Sequence, residues 1–334
     1  MGTESIEASF LSIFALISFF VFLLANKYSH KIREGLLLDK DFLKPQAFHQ
    51  SAISRAGGLA GIISLNFFFI IYYLIYSKIL FDYIFVCNLM FLIGFLDDAR
   101  TKISASKRLT LMTIFLFFII HCFSIKILNI DIPFLNNLLE NTIFSSLFVL
   151  LCFLFIINGA NLIDGFNGLL TINLIIINSV LAYINMSSGN INFSILIIGQ
   201  IIVLLSFLLF NFPNAKIFLG DGGAYLLGFL IAEMAVMLVV RHPTVSWFFP
   251  LACVIYPVTE TLFSMYRRRV KKADAQKPDA LHLHSLVHRR LNRWRSDSPS
   301  KAVFRNSLST TFFWCWQILS SVILFMIWDR PIML

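Results

Sequence analysis

Apolar runs of nearly membrane-spanning length recur ten times along this chain, and no water-soluble core accommodates that pattern. A bilayer's hydrocarbon layer takes about 20 apolar residues as one helix. Runs of that kind fall near 9–26, 56–77, 80–97, 109–128, 142–158, 168–187, 192–211, 223–240, 247–266 and 308–328. Lipid offers no water to the backbone, so each run must satisfy its own amide groups as a helix. Only 13% of the 334 residues are charged and mean hydropathy is +0.81, against about 25% charged in soluble proteins. The expected fold is an all-α, polytopic transmembrane bundle of about ten helices, forming a single domain over 1–334. Glu4 and Glu7 precede the first run and bases follow it, the reverse of a signal peptide, so it is expected to persist as a helix. The five cysteines sit singly inside apolar runs without CxxC spacing, so neither a disulfide framework nor a thiolate metal site is expected.

The net charge of +9 is a matter of sidedness. Gaps 27–55, 97–108, 158–168, 211–223 and 267–305 hold 23 of the 27 Lys and Arg residues. The opposite side holds only Lys78, Lys126, Arg241 and Arg330. By the positive-inside rule the basic gaps face the cytoplasm and both termini lie outside, which implies a multi-pass protein of the cytoplasmic (inner) membrane. The basicity is thus spent on membrane lipids, and no nucleic-acid partner is expected. The long basic loop 267–305 is expected to hold a short amphipathic helix on anionic headgroups.

The same side carries the chemistry. Asp97 and Asp98 end an apolar helix (FLIGFLDD) and are followed by Arg100, Lys102, Lys107 and Arg108. Adjacent carboxylates at a membrane boundary repel unless cations offset them. In NGANLIDGFNGLL, Asn158, Asn161, Asp164 and Asn167 recur every three residues, which gathers them on one side of a helical turn. In NFPNAKIFLGDGGAYLLG, Asp221 precedes two glycines at a helix start, where free N–H groups favour anions and a carboxylate suits a divalent cation. HLHSLVHRR places His282, His284, His288, Arg289 and Arg290 in the basic loop, a set better suited to phosphate binding or proton handling than to zinc. Acids, amides, histidines and bases on one side are the equipment for phosphoryl transfer, with Mg²⁺ bridging phosphates.

These motifs, in this order and on this side, resemble the polyprenyl-phosphate N-acetylhexosamine-1-phosphate transferases, the MraY- and WecA-like members of glycosyltransferase family 4. The resemblance runs from about residue 39 to 290. It begins with DKDFLKPQAFHQSAISRAGGLA, whose Ser54-Arg55-Ala56-Gly57-Gly58 is similar to the family's Pro-Arg-x-Gly-Gly. It continues through Asp97-Asp98 and Lys107, NGANLIDGFNGLL, Phe218 to Asp221, and YPVTETLFSMYRR with Glu260, and closes at HLHS.

The resemblance implies attack of a polyprenyl (undecaprenyl) phosphate on the β-phosphorus of a UDP-N-acetyl-sugar, releasing UMP and leaving a polyprenyl-diphospho-sugar. It implies Mg²⁺, with Mn²⁺ as a substitute, held by Asp221 and by Asn167 through its amide oxygen. Asp97 and Asp98 would orient or deprotonate the acceptor, with Asp164 among the catalytic acids, and Lys107, His282 and His284 would contact phosphates. Phe218 would stack near the uracil, and Asn158, Asn161, Arg55 and Arg289 would bind substrate. A homodimer is compatible with this reading. Asn167 stands where many relatives carry Asp, Ser285 replaces a further His, and Thr101 follows Asp97-Asp98 where some relatives have another acid. The missing multi-His run points away from a peptidoglycan pentapeptide substrate and toward an initiator of O-antigen, teichoic acid or capsule. A phosphate monoester has a second pKa near 6, so proton removal gains little and direct displacement is expected over an aspartyl-phosphate route.

Two rivals stand beside this reading. A cation- or proton-coupled transporter would use intramembrane acids such as Glu233, but such sites gather near the midplane. An aspartate-rich prenyltransferase would need an acid shortly after Asp97-Asp98, and DDARTK supplies none.

Overall fold

The computed structural model describes residues 3–39, 52–99, 101, 103–127, 130, 132–242, 244–271, 281–291 and 299–328. Residues 40–51 of the opening motif, and 272–280 and 292–298 of the basic loop, lie outside the described residues. The chain is almost wholly helical: α1 (Thr3–Tyr28), α2 (Gly57–Tyr76), α3 (Phe81–Asp98), α4 (Ala105–Cys122), α5 (Pro133–Leu139), α6 (Thr142–Ile163), α7 (Leu169–Ser187), α8 (Ile191–Asn211), α9 (Gly220–Arg241), α10 (Phe248–Cys253), α11 (Ile255–Val270), α12 (Leu283–Leu291) and α13 (Pro299–Met326). Among the described residues, eight helices are long and apolar enough to cross a membrane: α1, α2, α4, α6, α7, α8, α9 and α13. The other two expected spans are occupied by α3, which carries Asp82, Asp97 and Asp98, and by the broken pair α10–α11.

The break has a covalent cause. Pro257 has no N–H to donate to the Cys253 carbonyl four residues back, so the helix stops at Val254 and restarts. The Nε2 of Gln317 on α13 donates to that carbonyl at 3.3 Å, so the freed acceptor is not left bare inside the bundle.

Helix α9 is the axis of the fold and is buried nearly from end to end. It packs on α3, α6 and α2, and its small residues are the reason. A Cβ at Gly58 of α2 would lie 2.3 Å from the Gly223 amide nitrogen, and one at Gly94 of α3 would lie 2.4 Å from the Asp221 carbonyl oxygen. Backbone-to-backbone approach of this kind replaces the hydrophobic drive that is missing between helices in lipid.

A two-stranded antiparallel hairpin joins β1 (Leu38–Asp39) to β2 (Ile53–Ser54). Ser54 continues through a parallel bridge to Ile217, and the Phe218 N–H donates to the Ser54 carbonyl at 2.7 Å. The Gly57 and Gly58 amides then donate to the Phe218 and Leu219 carbonyls at 2.9 and 2.7 Å. The start of α2 is thereby stitched to the segment that leads into α9, which carries Arg55 to the mouth of the bundle. The short amphipathic helix expected within 267–305 is α12, and it docks on α13.

Candidate active site

The site forms where the C-terminal ends of α3 and α6 and the N-terminal end of α9 meet the first turn of α4. Asp98, the last residue of α3, is 3% exposed. Its two oxygens accept the Asp221 and Gly222 backbone N–H groups at 3.0 and 2.9 Å. These are unpaired amides of the first turn of α9, so the carboxylate caps the positive end of that helix. Gly220, at φ +79°, makes the approach possible: a Cβ there would sit 2.6 Å from an Asp98 carboxylate oxygen.

Asp97 and Asp221 converge on one cation. The Arg108 Nη1 lies 2.9 Å from Asp97 Oδ2 and 2.6 Å from Asp221 Oδ2. The other oxygen of Asp221 accepts from the Asn161 amide at 3.1 Å. Asn158 turns back on its own helix and donates to the Leu154 carbonyl at 2.7 Å. Arg55 is clamped by Asp39, with Nη2 and Nε at 2.7 and 3.2 Å from one carboxylate oxygen, while its Nη1 faces Asp98 at 3.8 Å. Burial works against charge on Arg55, but the Asp39 carboxylate, with Asp98 and Asp221 farther off, holds it firmly protonated. Asp164 caps the C-terminus of α6. Burial, then the neighbouring Asp221 and Asp98 carboxylates, push it well above the ordinary carboxyl range.

The histidines form a second cluster against this mouth. His282 Nδ1 faces Glu260 at 3.2 Å and Ser264 at 3.4 Å, and Glu260 also accepts the Leu283 backbone N–H. His284 is 3% exposed, and its Nδ1 lies 3.2 Å from the Tyr256 hydroxyl. Its Nε2 is placed so that a Cβ on Gly165 would come within 3.0 Å, so the ring abuts the turn that carries Asp164. Burial, with His282 and His288 beside it, pushes His284 down to about 3, so it is neutral at physiological pH and acts as a hydrogen-bonding group.

Of the residues singled out in the sequence, the structure brings together Asp97, Asp98, Asn161, Asp221 and Arg55, with Asp164 beside them. It sets others apart. Lys107 is exposed, and the contact to the acids is made by its neighbour Arg108. Asn167 donates its side-chain amide to the Pro213 carbonyl at 3.2 Å and to Ser307 at 3.0 Å, and its backbone N–H donates to Asn306 at 2.9 Å. It therefore ties the α6–α7 turn to α13. Phe218 is half-buried on the segment entering α9, with its backbone paired to Ser54 and Gly57. The Nε of Arg289 donates to the Ser285 carbonyl of its own helix at 3.3 Å. Asp39 and Arg108 are the site residues the sequence reading left out.

Five carboxyl groups (Asp39, Asp97, Asp98, Asp164, Asp221) thus stand against two guanidiniums. Among the described residues, no three His, Cys, Asp or Glu side chains cluster tightly enough to hold a metal ion alone. Two convergent carboxylates, completed by phosphate oxygens of a substrate, are nevertheless the usual setting for Mg²⁺. Asp97 and Asp221 fit that donor set.

Residues 80–239 match the family described as Glycosyl transferase family 4. The chain is 29% identical over 197 residues to a probable undecaprenyl-phosphate N-acetylglucosaminyl 1-phosphate transferase of Bacillus subtilis, covering 59% of this chain and 54% of that protein. It is 25% identical over 297 residues to an undecaprenyl-phosphate alpha-N-acetylglucosaminyl 1-phosphate transferase of Escherichia coli O157:H7, covering 86% and 78%. Several matches are shorter, and across them the chain spans about half the length of the curated relatives, 45% to 54%. With a phospho-N-acetylmuramoyl-pentapeptide-transferase of Clostridium botulinum it shares 30% identity over 228 residues, 63% of this chain and 67% of that protein. The matched segment contains Asp97, Asp98, Arg108, Asn161, Asp164 and Asp221, and the chain belongs to glycosyl transferase family 4.

Proposed function

We propose that this protein transfers a sugar-1-phosphate from a UDP-N-acetyl-sugar to a membrane polyprenyl phosphate, releasing UMP and initiating a lipid-linked surface polysaccharide. The observation that carries the proposal is the convergence of Asp97, Asp221 and Arg108, with Asp98 and Arg55, at the ends of α2, α3, α4 and α9. That is the depth at which a lipid phosphate meets a water-soluble nucleotide. The transferases similar to this chain, named above, support the same reaction and lend nothing to a transporter.

The reacting groups are an acceptor phosphate, mostly dianionic at neutral pH, and a diphosphate. Their mutual repulsion is the main barrier that the site addresses. Arg55, fixed by Asp39, presents Nη1 toward the reacting phosphates, and Arg108 supplies the second guanidinium. Asp98 is fully engaged by the α9 amides, so it holds the mouth of α9 in place and leaves proton removal aside. Asp97 is the more open of the adjacent pair, at 31% side-chain exposure, and orients the acceptor. Asp164, pushed upward by burial and by the Asp221 and Asp98 carboxylates, lies beside the acceptor site, where its protonated form would donate a hydrogen bond to an anionic oxygen. Bound between Asp97 and Asp221, Mg²⁺ would supply the charge that two guanidiniums cannot. The acceptor oxygen forms its bond to the β-phosphorus as the bond to the UMP oxygen breaks, with no enzyme-bound phosphate between. The site faces the cytoplasm, where UDP-sugars reside.

The test uses vesicles holding the purified protein, Mg²⁺, undecaprenyl phosphate and UDP-N-acetylglucosamine labelled at both the sugar and the β-phosphorus. Both labels should pass together into lipid while UMP appears in solution. Release of UDP in place of UMP, or no labelled lipid with any UDP-N-acetyl-sugar, would overturn the proposal. A phosphorylated protein formed without the lipid acceptor would overturn direct displacement.

A further inference from the structure

One nitrogen of Arg108 touches both carboxylates that fit a divalent ion. The Arg108 side chain is 14% exposed, and its buried Nε meets no hydrogen-bond acceptor among the described residues. Its place is therefore set by the two acids and not by a complete shell of partners. A guanidinium with an unused buried donor gains by meeting a further anion, and a diphosphate offers several oxygens in the fork geometry that Arg favours. The point that Nη1 occupies, in contact with Asp97 Oδ2 and Asp221 Oδ2, is also the point from which a cation would contact both. Two cations cannot hold it at once.

We propose that Arg108 is a resident counter-cation that competes with the divalent ion for Asp97 and Asp221, and leaves them when the sugar-nucleotide diphosphate offers it other partners. Resting on the transferase reading above, this assigns Arg108 two positions in one cycle. By linkage, whatever draws Arg108 away tightens the metal site, and the metal in turn favours nucleotide binding. The arrangement keeps the acids paired until substrate arrives, and makes metal and nucleotide bind together.

The experiment measures Mn²⁺ binding to the detergent-solubilised full chain by electron paramagnetic resonance, without nucleotide or lipid acceptor. Arg108→Gln should bind Mn²⁺ at least tenfold more tightly than the unaltered protein, although its UMP release falls. Arg108→Lys, whose ammonium is compact and lacks the planar fork, should lie between the two, and it decides the matter if Arg108→Gln does not fold. Equal or weaker Mn²⁺ binding by the variants, including no binding by any form, would overturn the proposal. The readout needs no turnover, so it is separate from the test of the transferase reaction, which rests on labelled lipid and UMP.

Discussion

Gly220 meets two constraints at once: a left-handed backbone and the Asp98 carboxylate pressed against its Cα. Gly220→Ala adds a Cβ into that carboxylate and forces an L side chain to φ +79°. The strain alone costs about 1–2 kcal/mol, and displacing Asp98 uncaps α9. The expected outcome is a melting temperature lower by several degrees and UMP release reduced at least tenfold; unchanged turnover would show that the Asp98 cap is dispensable. His284 makes a different prediction. Its neutral form is favoured in the fold, with a pKa pushed down to about 3 from an ordinary 6.5. The unfolded chain therefore binds a proton that the folded chain refuses, and stability present above about pH 6.5 is lost as pH falls toward 3, at about 1.4 kcal/mol per pH unit. Melting temperature should drop between pH 6.5 and 5, and His284→Gln, which retains a partner for Tyr256, should flatten that slope. An equally steep slope in the variant would remove His284 as its cause.

Glycines that let helices touch make predictions for whole elements. On α3, Gly94 faces the Asp221–Gly222 backbone of α9 with no room for a methyl group. Gly94→Ala should push the two helices apart, cost about 2 kcal/mol or more as overpacking, and pull Asp97 away from Asp221. On α2, Gly61 has its nearest neighbour at 3.8 Å, the Val203 side chain, so Gly61→Ala fits and should raise helix stability by about 1 kcal/mol at most. Melting curves and UMP release for the pair test this, since the account requires the first variant to lose both and the second to lose neither. Eight of the ten expected spans were legible in the sequence because apolar length is itself the signal, and the charged ends of α3 and α9 marked where the acids gather. The hairpin β1–β2 was not, because two-residue strands leave no periodic trace. Lys107 and Arg108 are neighbours in sequence but sit about 100° apart around a helix. Only the phase of α4, set by Ser104 at its N-cap, decides that Arg108 faces the acids. Asn167 looked like a ligand because its partners, Pro213 and Ser307, lie far along the chain.

At the scale of the whole molecule, charge and chemistry share one side of the bundle. Lys and Arg are strongly biased to the side of the bundle that holds Asp97, Asp164 and Asp221, chiefly through the gaps 27–55 and 267–305, so the site is expected in the cytoplasm. In a background lacking the native cysteines, Gly189→Cys, in the turn between α7 and α8, should react with a membrane-impermeant maleimide on intact cells. Thr101→Cys, beside the site, should react only after permeabilisation, and the opposite pattern would reverse the orientation. In the proposed reaction, cations brought to Asp97 and Asp221 would offset the net negative charge of the site, and Asp221 stands at the centre because it contacts both Arg108 and Asn161. The most direct measurement is therefore UMP release from a panel of UDP-N-acetyl-sugars, with undecaprenyl phosphate and Mg²⁺, by the purified protein and by Asp221→Ala. The account predicts UMP with at least one sugar from the unaltered protein and a loss of at least a hundredfold in Asp221→Ala. Undiminished turnover in the variant, or no UMP from the unaltered protein with any sugar, would contradict it.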